Sequence, residues 1–340
     1  MKSTGENILK KTLIIVGPTA GGKSDLAILL ARKYNGEIIS ADSRQVYRGM
    51  NIGSGKVARD KVASHPELVE GSRNYKVSAI KNKIPQQARN DSFFYSDGIR
   101  HHLIDVASPK RNYNVTHFVR DAKKIIIDIK KREKIPIVCG GTGFWVQALI
   151  ENNAFPAVKP DAKLREKLSK LSTERLFVML QKKDPRRATD IDQHNKIRLI
   201  RALEICESLG TVPEQNSRFD IQDSNFLIIA LNPNKKTLQK NIETRLEKRL
   251  KKGMVSEVRH LHMDGVSWKR LESFGLEYKN IALFLERKIT RDMMQENLKH
   301  EIWHYAKRQL TWLRRFEKLG ASIHWITDPK EAFEIIGQQD

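Results

Sequence analysis

The clearest chemical signature in this sequence is the segment Gly17-Pro18-Thr19-Ala20-Gly21-Gly22-Lys23-Ser24. It fits the pattern G-x-x-x-x-G-K-[ST], in which backbone N–H groups, the lysine charge and a hydroxyl that can coordinate Mg²⁺ surround phosphate oxygens. An apolar run at 12–16 precedes the segment and a helical pattern follows it, as the motif requires. The sequence therefore predicts a phosphate-binding loop. A nucleoside triphosphate is the usual ligand of such a loop, and any diphosphate would fit it.

A carboxylate and a hydroxyl group follow two other predicted strands. Asp42 comes after the strand pattern at 37–40, and Thr142 comes after the pattern at 135–139, within Gly140-Gly141-Thr142-Gly143. Ligands of open parallel sheets bind at the carboxyl ends of the strands. Asp42 could hold Mg²⁺ through water or act as a base, or it could only cap the next helix.

Basic helical segments suggest a polyanionic partner. Between 235 and 259, nine Lys and Arg residues face three Glu residues, and four basic residues surround Trp312 between 307 and 315. The whole chain has 62 Lys and Arg against 40 Asp and Glu, a net charge of +22. Such an excess attracts nucleic acid, anionic membranes or phosphorylated substrates. Each basic run could also be an ordinary solvated helix face.

These residues need an α/β framework to bring them together. Strands are predicted at 12–16, 37–40, 135–139, 226–231 and 323–326, and helices at 23–34, 115–131, 163–171, 174–182, 197–209, 235–263 and 290–318. Alternating strands and helices predict a parallel sheet. The expected fold is a P-loop NTPase-like core at 10–158 and 216–330, with an all-helical domain inserted at 159–215. The polar stretch 57–99 has no clear period and is expected to be a flexible insertion.

Composition excludes several classes of protein. No apolar run approaches the roughly 18–20 residues of a membrane span, and the first residues lack the apolar core of a signal peptide. The two cysteines, Cys139 and Cys206, cannot form a disulfide framework or a four-ligand zinc site. We therefore expect a cytoplasmic globular protein of about two domains.

Seven segments, in order along the chain, resemble the tRNA dimethylallyltransferase family, also called tRNA isopentenyltransferases. They are GPTAGGKS at 17–24, ADSRQVYRGMNIG at 41–53, HHLID at 101–105, IPIVCGGTG at 135–143, IRLIRALEI at 197–205, IETRLEKRL at 242–250 and KRQLTWLRR at 307–315. The resemblance spans nearly the whole chain except 57–99. It implies transfer of a dimethylallyl group from dimethylallyl diphosphate to N6 of adenosine 37 in tRNA, with release of pyrophosphate, by a monomeric enzyme that uses Mg²⁺.

The resemblance also implies roles for individual residues. Asp42 matches the general base that takes the proton from N6, and an exocyclic amine needs such help because it is a poor nucleophile. Arg245 matches an arginine that neutralises the leaving pyrophosphate. The loop from Gly17 to Ser24 would hold the diphosphate, with Mg²⁺ on Ser24. Expected tRNA contacts are Asp42, Ser43, Arg44, Gln45, Thr142, Arg165, Ile197, Arg198, Leu199, Ile200, Arg201, Lys307 and Arg308.

Some segments depart from the family pattern, and other functions can be weighed against it. Trp145 stands where the family often has Tyr, and 275–278 follows the family's Gly-Tyr pattern only loosely. The stretch 57–99 is replaced in relatives by a short connection. A small-metabolite kinase with an arginine-rich lid at 186–201, or an ATP-driven RNA-binding protein, would also use the phosphate loop. Both alternatives require ATP, whereas a prenyltransferase does not.

Overall fold

The computed structural model describes residues 11–60, 93–151, 156, 158–213 and 225–338. The chain divides into two compact units, Met1–Glu151 with Phe219–Asp340 (unit 1) and Asn152–Arg218 (unit 2). The limits that the sequence suggests for the inserted domain, 159–215, stay a prediction.

Within the described residues, unit 1 contains a seven-stranded sheet that confirms the predicted α/β class. Its order is β3-β4-β2-β5-β1-β6-β7, with β3 antiparallel to β4 and all other neighbours parallel. The three central strands are buried at every position, as expected when helices cover both faces. The strands are Thr12–Val16 (β1), Gly36–Ser40 (β2), Phe94–Ser96 (β3), Ile99–His102 (β4), Ile135–Cys139 (β5), Phe226–Leu231 (β6) and Ile323–Ile326 (β7).

Helices connect and cover these strands in unit 1 and make up the regular structure of unit 2. In chain order they are Lys23–Lys33 (α1), Val115–Lys131 (α2), Gly143–Ile150 (α3), Ala162–Ser169 (α4), Thr173–Lys183 (α5), Pro185–Asp190 (α6), Lys196–Leu209 (α7), Lys235–Lys251 (α8), Met254–Met263 (α9), Trp268–Ser273 (α10), Leu276–Leu285 (α11), Arg291–Lys318 (α12) and Pro329–Gly337 (α13). Among the helices of the described ranges, none is long and apolar enough to cross a membrane.

The register of the central strands places three loops at one edge of the sheet. Ser40 of β2 pairs with Cys139 of β5, and Ile15 of β1 pairs with the same Cys139. The three strands therefore end at the same level. The segments that follow them, 17–24, 41–45 and 140–143, meet at the carboxyl edge where ligands of such sheets bind.

Unit 2 has its own small apolar core. Helices α4, α5 and α7 pack Leu168, Leu176 and Leu203 together with the fully buried Leu199. Asp184 caps the N-terminus of α6, and its carboxylate accepts N–H groups from Arg187 at 2.9 Å and from Val212 at 2.8 Å.

Two expectations from the sequence need correction. The predicted helix at 235–263 is two helices, because Gly253 adopts a left-handed φ of +99° and separates α8 from α9. The predicted insertion 57–99 is not uniformly irregular: β3 and the start of β4 lie within it and form the edge of the sheet. Asp60 also accepts the N–H groups of Asp97 and Gly98, at 2.9 and 2.8 Å. Residues 61–92 lie outside the described residues.

Candidate active site

The phosphate loop joins β1 to α1 in a conformation that its glycines permit. Gly17 has a φ of +145°, and a Cβ atom there would lie 2.9 Å from the Leu231 carbonyl oxygen. Gly22 precedes α1 with a left-handed φ of +87°. Lys23 begins α1 and its Nζ donates to the Pro18 carbonyl at 2.7 Å. Burial lowers the pKa of Lys23 to about 8, and an arriving phosphate would stabilise its charged form.

Asp42 lies just beyond β2 at the same edge of the sheet. Its Oδ1 accepts backbone N–H groups from Arg44 at 2.9 Å and from Gln45 at 3.4 Å. The neighbouring Ser43 donates its N–H to Thr142 Oγ1 at 3.0 Å, which ties this turn to the loop after β5. The turn therefore fixes the backbone around Asp42 and presents its carboxylate to the cavity described below.

Three arginines approach the phosphate loop and Asp42. Arg44 Nη1 bonds Glu277 Oε2 at 2.5 Å, and Arg249 Nη1 bonds Glu277 Oε1 at 3.1 Å. Arg245 donates to the hydroxyl of Thr19 in the phosphate loop. Burial, and then the charge of Arg249, lowers the pKa of Arg245 to about 9. An anion between Arg245 and the loop would stabilise this arginine's charge.

Helix α12 closes the other side of the phosphate loop. The Gln309 side-chain amide accepts the N–H of Thr19 at 2.7 Å and donates to the Gly141 carbonyl at 2.8 Å. One turn further, the ring of Trp312 lies so close to Gly143 that a Cβ atom there would be 2.3 Å from it. The glycines after β5 thus allow α12 to approach. This contact sets the position of the loop.

These residues surround one cavity in unit 1. Its polar lining includes Thr19, Lys23, Ser24, Asp42, Arg44, Gln45, Arg245 and Arg249. Apolar side chains from α1, β2 and the loop after β4, including Ala27, Ile38 and Ile104, line the same cavity. A molecule with an anionic head and a short apolar tail would satisfy both parts. Ala20, Gly21 and Gly22 line an adjoining open groove with Lys248 and Lys252.

The oxygens in this cavity suit a hard divalent cation that also binds a ligand. Ser24 and Asp42 supply a hydroxyl and a carboxylate to the same lining. Mg²⁺ prefers such oxygens and usually keeps waters or substrate phosphates as its remaining ligands. Within the described part of the chain, no cluster of three His, Cys, Asp or Glu residues could hold a metal by itself. The residues present therefore fit Mg²⁺ bound together with a diphosphate.

The expected tRNA contacts lie in several places. Asp42, Ser43, Arg44, Gln45 and Thr142 lie in or beside the cavity. Lys307 and Arg308 are exposed on α12, with Lys307 5.7 Å from the Trp303 ring. The remaining expected contacts belong to unit 2.

In unit 2, most of the expected contacts are side chains at or near the surface. Arg165 and Arg201 both bond the buried carboxylate of Glu204. Ile197 is 81% exposed and Arg198 is also exposed, while Ile200 is half-buried. The expectation that Leu199 contacts tRNA needs correction, because its side chain is fully buried in the core of unit 2 and is not available to RNA.

Sequence reasoning missed four residues of this site. Arg249, Glu277, Tyr305 and Gln309 all take part in the cavity or its hydrogen bonds, and burial raises the pKa of Tyr305 to about 12. Arg249 and Gln309 lie inside segments that carry the family resemblance, which was an available signal. Glu277 lies in the segment that departs from the family pattern, and nothing in its spacing marks it.

Comparisons with known proteins agree on one family. Residues 80–316 match the family described as IPP transferase, and residues 10–74 match that described as isopentenyl transferase. The chain is 36% identical to "tRNA dimethylallyltransferase 1" of Geotalea uraniireducens, over 95% of this chain and 96% of that protein. It is 37% identical to "tRNA dimethylallyltransferase 1" of Syntrophus aciditrophicus, over 94% of each.

Solved structures give the same result. The tRNA isopentenylpyrophosphate transferase of Bacillus halodurans has a TM-score of 0.63 at 29% identity and covers 97% of this chain and 95% of its own. A eukaryotic dimethylallyltransferase, solved acting on tRNA, has a TM-score of 0.66 at 26% identity and covers 94% of this chain and 74% of its own.

Proposed function

This chain belongs to the family of tRNA dimethylallyltransferases, the IPP transferases, and we propose that it prenylates N6 of adenosine 37 in tRNA. The donor is dimethylallyl diphosphate and the second product is pyrophosphate. The observation that carries this proposal is the single cavity that holds Asp42, the phosphate loop and Arg245 together. The relatives do not favour a small-metabolite kinase.

The chemistry needs one bond to form as another breaks. The N6 lone pair bonds to C1 of the allyl group, and the C1–O bond breaks with its electrons leaving on pyrophosphate. Asp42 accepts the proton that N6 loses. Arg245 and Lys23 face the phosphate oxygens, where negative charge grows during the reaction, so their effect should be largest on turnover. The target base must leave the anticodon-loop stack to reach Asp42.

Magnesium fits this scheme as a partner of the donor. Ser24, with Asp42 nearby, would hold Mg²⁺ beside the diphosphate oxygens. The ion would supply positive charge to the leaving group. The same residues would orient the diphosphate along the phosphate loop, while Arg245 neutralises its other side.

The proposed tRNA contacts outside the cavity are side chains of unit 2 and, separately, of helix α12 in unit 1. The candidates in unit 2 are Arg165, Ile197, Arg198, Ile200 and Arg201, and those on α12 are Lys307 and Arg308. The net charge of +22 supports a polyanionic partner. We further propose that the protein acts in the cytoplasm as a monomer.

The first test is product analysis with a matched variant. Unmodified tRNA is incubated with Mg²⁺, dimethylallyl diphosphate and protein, and its nucleosides are analysed by mass spectrometry. Asp42→Asn keeps the oxygen that accepts the Arg44 N–H but removes the base, and should slow product formation about 10²- to 10⁴-fold. Asp128→Asn, at an exposed ion pair on α2, is the control. Binding of ATP with no prenylated product would replace this proposal with the kinase.

A further inference from the structure

A second groove lies in unit 1, between the start of α8 and one face of α12. Its volume is about 350 Å³, within the range of roughly 300–1,000 Å³ that small ligands occupy in proteins. It is lined by residues 232–235, Leu238, Trp303, Lys307, Leu310 and Arg314. None of these residues lines the cavity that contains Asp42. We call this second site the α8–α12 groove.

The four residues that α12 contributes to the groove form one stripe along the helix. They follow one another at spacings of four, three and four residues, which places them on a single helical face. Gln309 and Trp312 lie on the other side of α12, where they contact the phosphate loop and Gly143. Trp312 also stacks on Phe316, with 5.0 Å between the ring centres. Trp303 is therefore the tryptophan that α12 presents to the groove.

The loop after β6 places the groove at the same edge of the sheet as the catalytic cavity. Ala230 of β6 pairs with Val16 of β1, so β6 ends level with the start of the phosphate loop. Residues 232–235 continue from that point into α8. Lys307 lines the groove, while Gln309, two residues further along α12, bonds the phosphate loop. The groove and the cavity are thus about one helix diameter apart, roughly 10–12 Å.

The groove carries positive charge that the described residues do not balance. Its lining contains Lys235, Lys307 and Arg314 but no Asp or Glu. Across residues 11–60, 93–151, 158–213 and 225–338, none of these three cations has a carboxylate oxygen within 4.0 Å. Three neighbouring cations without counter-charges attract an anion.

The first turn of α8 adds cations where a helix already carries partial positive charge. Lys235 and Lys236 begin this helix, and its first turn has no acidic residue. The N-terminus of a helix favours negative charge instead, and α13 begins accordingly with Asp328 and Glu331. Lysines at the start of α8 therefore oppose the helix dipole in the free protein. An anion bound in the groove would offset this repulsion.

Trp303 supplies a flat surface and a hydrogen-bond donor to the same groove. Its ring is half-buried, and Lys307 Nζ lies 5.7 Å from the ring centre. Within the described part of the chain, its indole N–H has no acceptor, whereas that of Trp325 donates to Glu317 at 2.8 Å. A planar base with an attached phosphate would use the ring and the cations together.

We propose that the α8–α12 groove binds one nucleotide of the tRNA, with its base against Trp303 and its phosphate among Lys235, Lys307 and Arg314. The choice of tRNA as the partner rests on the proposed function, which brings this polyanion to the neighbouring cavity. The groove supplies affinity rather than chemistry, since its residues do not line the cavity with Asp42. Stacking on an aromatic ring accepts any base, so the groove should hold RNA without reading its sequence.

The first experiment removes the ring and measures tRNA affinity by filter binding. Trp303→Leu should weaken the binding of unmodified tRNA about 5- to 50-fold, because a stacked base loses its platform. Trp303→Phe keeps an aromatic face and should recover most of this affinity. In turnover assays the loss should appear in KM for tRNA and not in kcat. A Trp303→Leu protein that unfolds thermally like the wild type and binds tRNA with wild-type affinity would overturn the inference.

The second experiment removes charge from the groove. Lys235→Gln combined with Arg314→Gln should weaken tRNA binding and reduce the slope of log Kd against log salt concentration by about 1–2. The control combines Lys318→Gln with Lys330→Gln, which removes the same charge from exposed positions of unit 1 outside both linings. Its effect should be smaller, because charges distant from bound phosphate are screened by salt. Equal losses in the two double variants would indicate general charge attraction only and would reject the groove.

A titration with ATP, followed by tryptophan fluorescence, distinguishes tRNA from a free nucleotide. The inference fails if ATP binds the wild type but not Trp303→Leu while this variant keeps its tRNA affinity. The two levels of proposal also fail separately. Trp303-dependent tRNA binding without prenylated product would reject the proposed function and keep the groove. Prenylated product with tRNA affinity independent of Trp303 would keep the function and reject the groove.

Discussion

The ammonium group of Lys23 donates to the carbonyl oxygen of Pro18, 2.7 Å away. The lysine that should contact the donor's phosphate is therefore held by the backbone of its own loop. Its protonated form is less favoured than that of an exposed lysine, because burial lowers its pKa to about 8. Donor binding has to exchange the Pro18 carbonyl for a phosphate oxygen, and this gain is available only while Lys23 is protonated.

We expect donor capture to weaken as the pH rises through about 8. The free protein loses the Lys23 charge there, so kcat/KM for the donor should fall, while kcat should hold to higher pH since bound diphosphate retains the proton. Rates measured between about pH 7 and 9.5 will show this, and Lys23→Arg should move the decline upward. A flat kcat/KM profile in the wild type would contradict the role given to Lys23.

Gly143→Ala should destabilise unit 1 by about 1–3 kcal/mol, because the new Cβ would lie 2.3 Å from the rigid Trp312 ring. The displaced α12 would also move Gln309 from the phosphate loop and raise KM for the donor. Chemical unfolding and donor titration measure the two effects. Gly337→Ala, which has no atom within 4 Å of its Cβ position, is the control and should be nearly neutral.

The buried Glu37 should make folding sensitive to acid. Its carboxylate contacts Arg132 at 2.8 Å, His102 at 2.7 Å and Lys134 at 3.1 Å. Burial alone would raise its pKa, but these hydrogen bonds outweigh burial and hold the pKa far below its usual range.

Because the folded-state pKa of Glu37 is lowered, its stabilisation is present above the ordinary value of 4.5 and is lost as the pH falls below that value. Glu37→Gln should cost about 3–5 kcal/mol of unfolding free energy near neutral pH, and less near about pH 3. Urea titrations at both pH values test this. The control is Glu166→Gln, which removes an exposed ion pair with Lys170 and should change the unfolding free energy little at either pH.

Two neighbouring residues of α7 should respond in opposite ways to truncation. Ile197 is 81% exposed and Leu199 is fully buried. Ile197→Ala should weaken tRNA binding with little change in stability, if this surface holds RNA as proposed. Leu199→Ala should cost about 2–5 kcal/mol of stability. Filter binding and thermal unfolding of both variants separate the roles, and equal tRNA affinity for Ile197→Ala would remove it from the interface.

The strands could be predicted where the chain is apolar and bounded by turn residues. The runs at 12–16, 135–139, 226–231 and 323–326 match the observed strands residue for residue. By contrast, β3 and β4 were not predicted, because short strands with polar residues such as Arg100 carry no clear period. The pairing of β4 with β2, and of β3 with β4, supplies the order that the local sequence does not.

The residues of the candidate site also fall into those that the sequence could predict and those that it could not. The phosphate loop and Asp42 were predicted, since their chemistry depends on local spacing after a strand. Glu277 could not be predicted, because a glutamate on a helix is usually a solvated charge. Its place in the site comes from contacts with Arg44, 233 residues away, and with Arg249.

The hydrogen bond between Thr19 and Gln309 joins residues 290 positions apart. On the ribosome, Thr19 is synthesised 290 residues before its partner. The residues of β1 and α1 are therefore synthesised long before Gln309 of α12 is available to bond the phosphate loop. A truncated mRNA that ends before codon 309 would yield a polypeptide with residues 17–24 of the phosphate loop but without the Gln309 side chain that bonds Thr19. For this protein, synthesis through residue 309 is what turns a phosphate-loop sequence into a donor site.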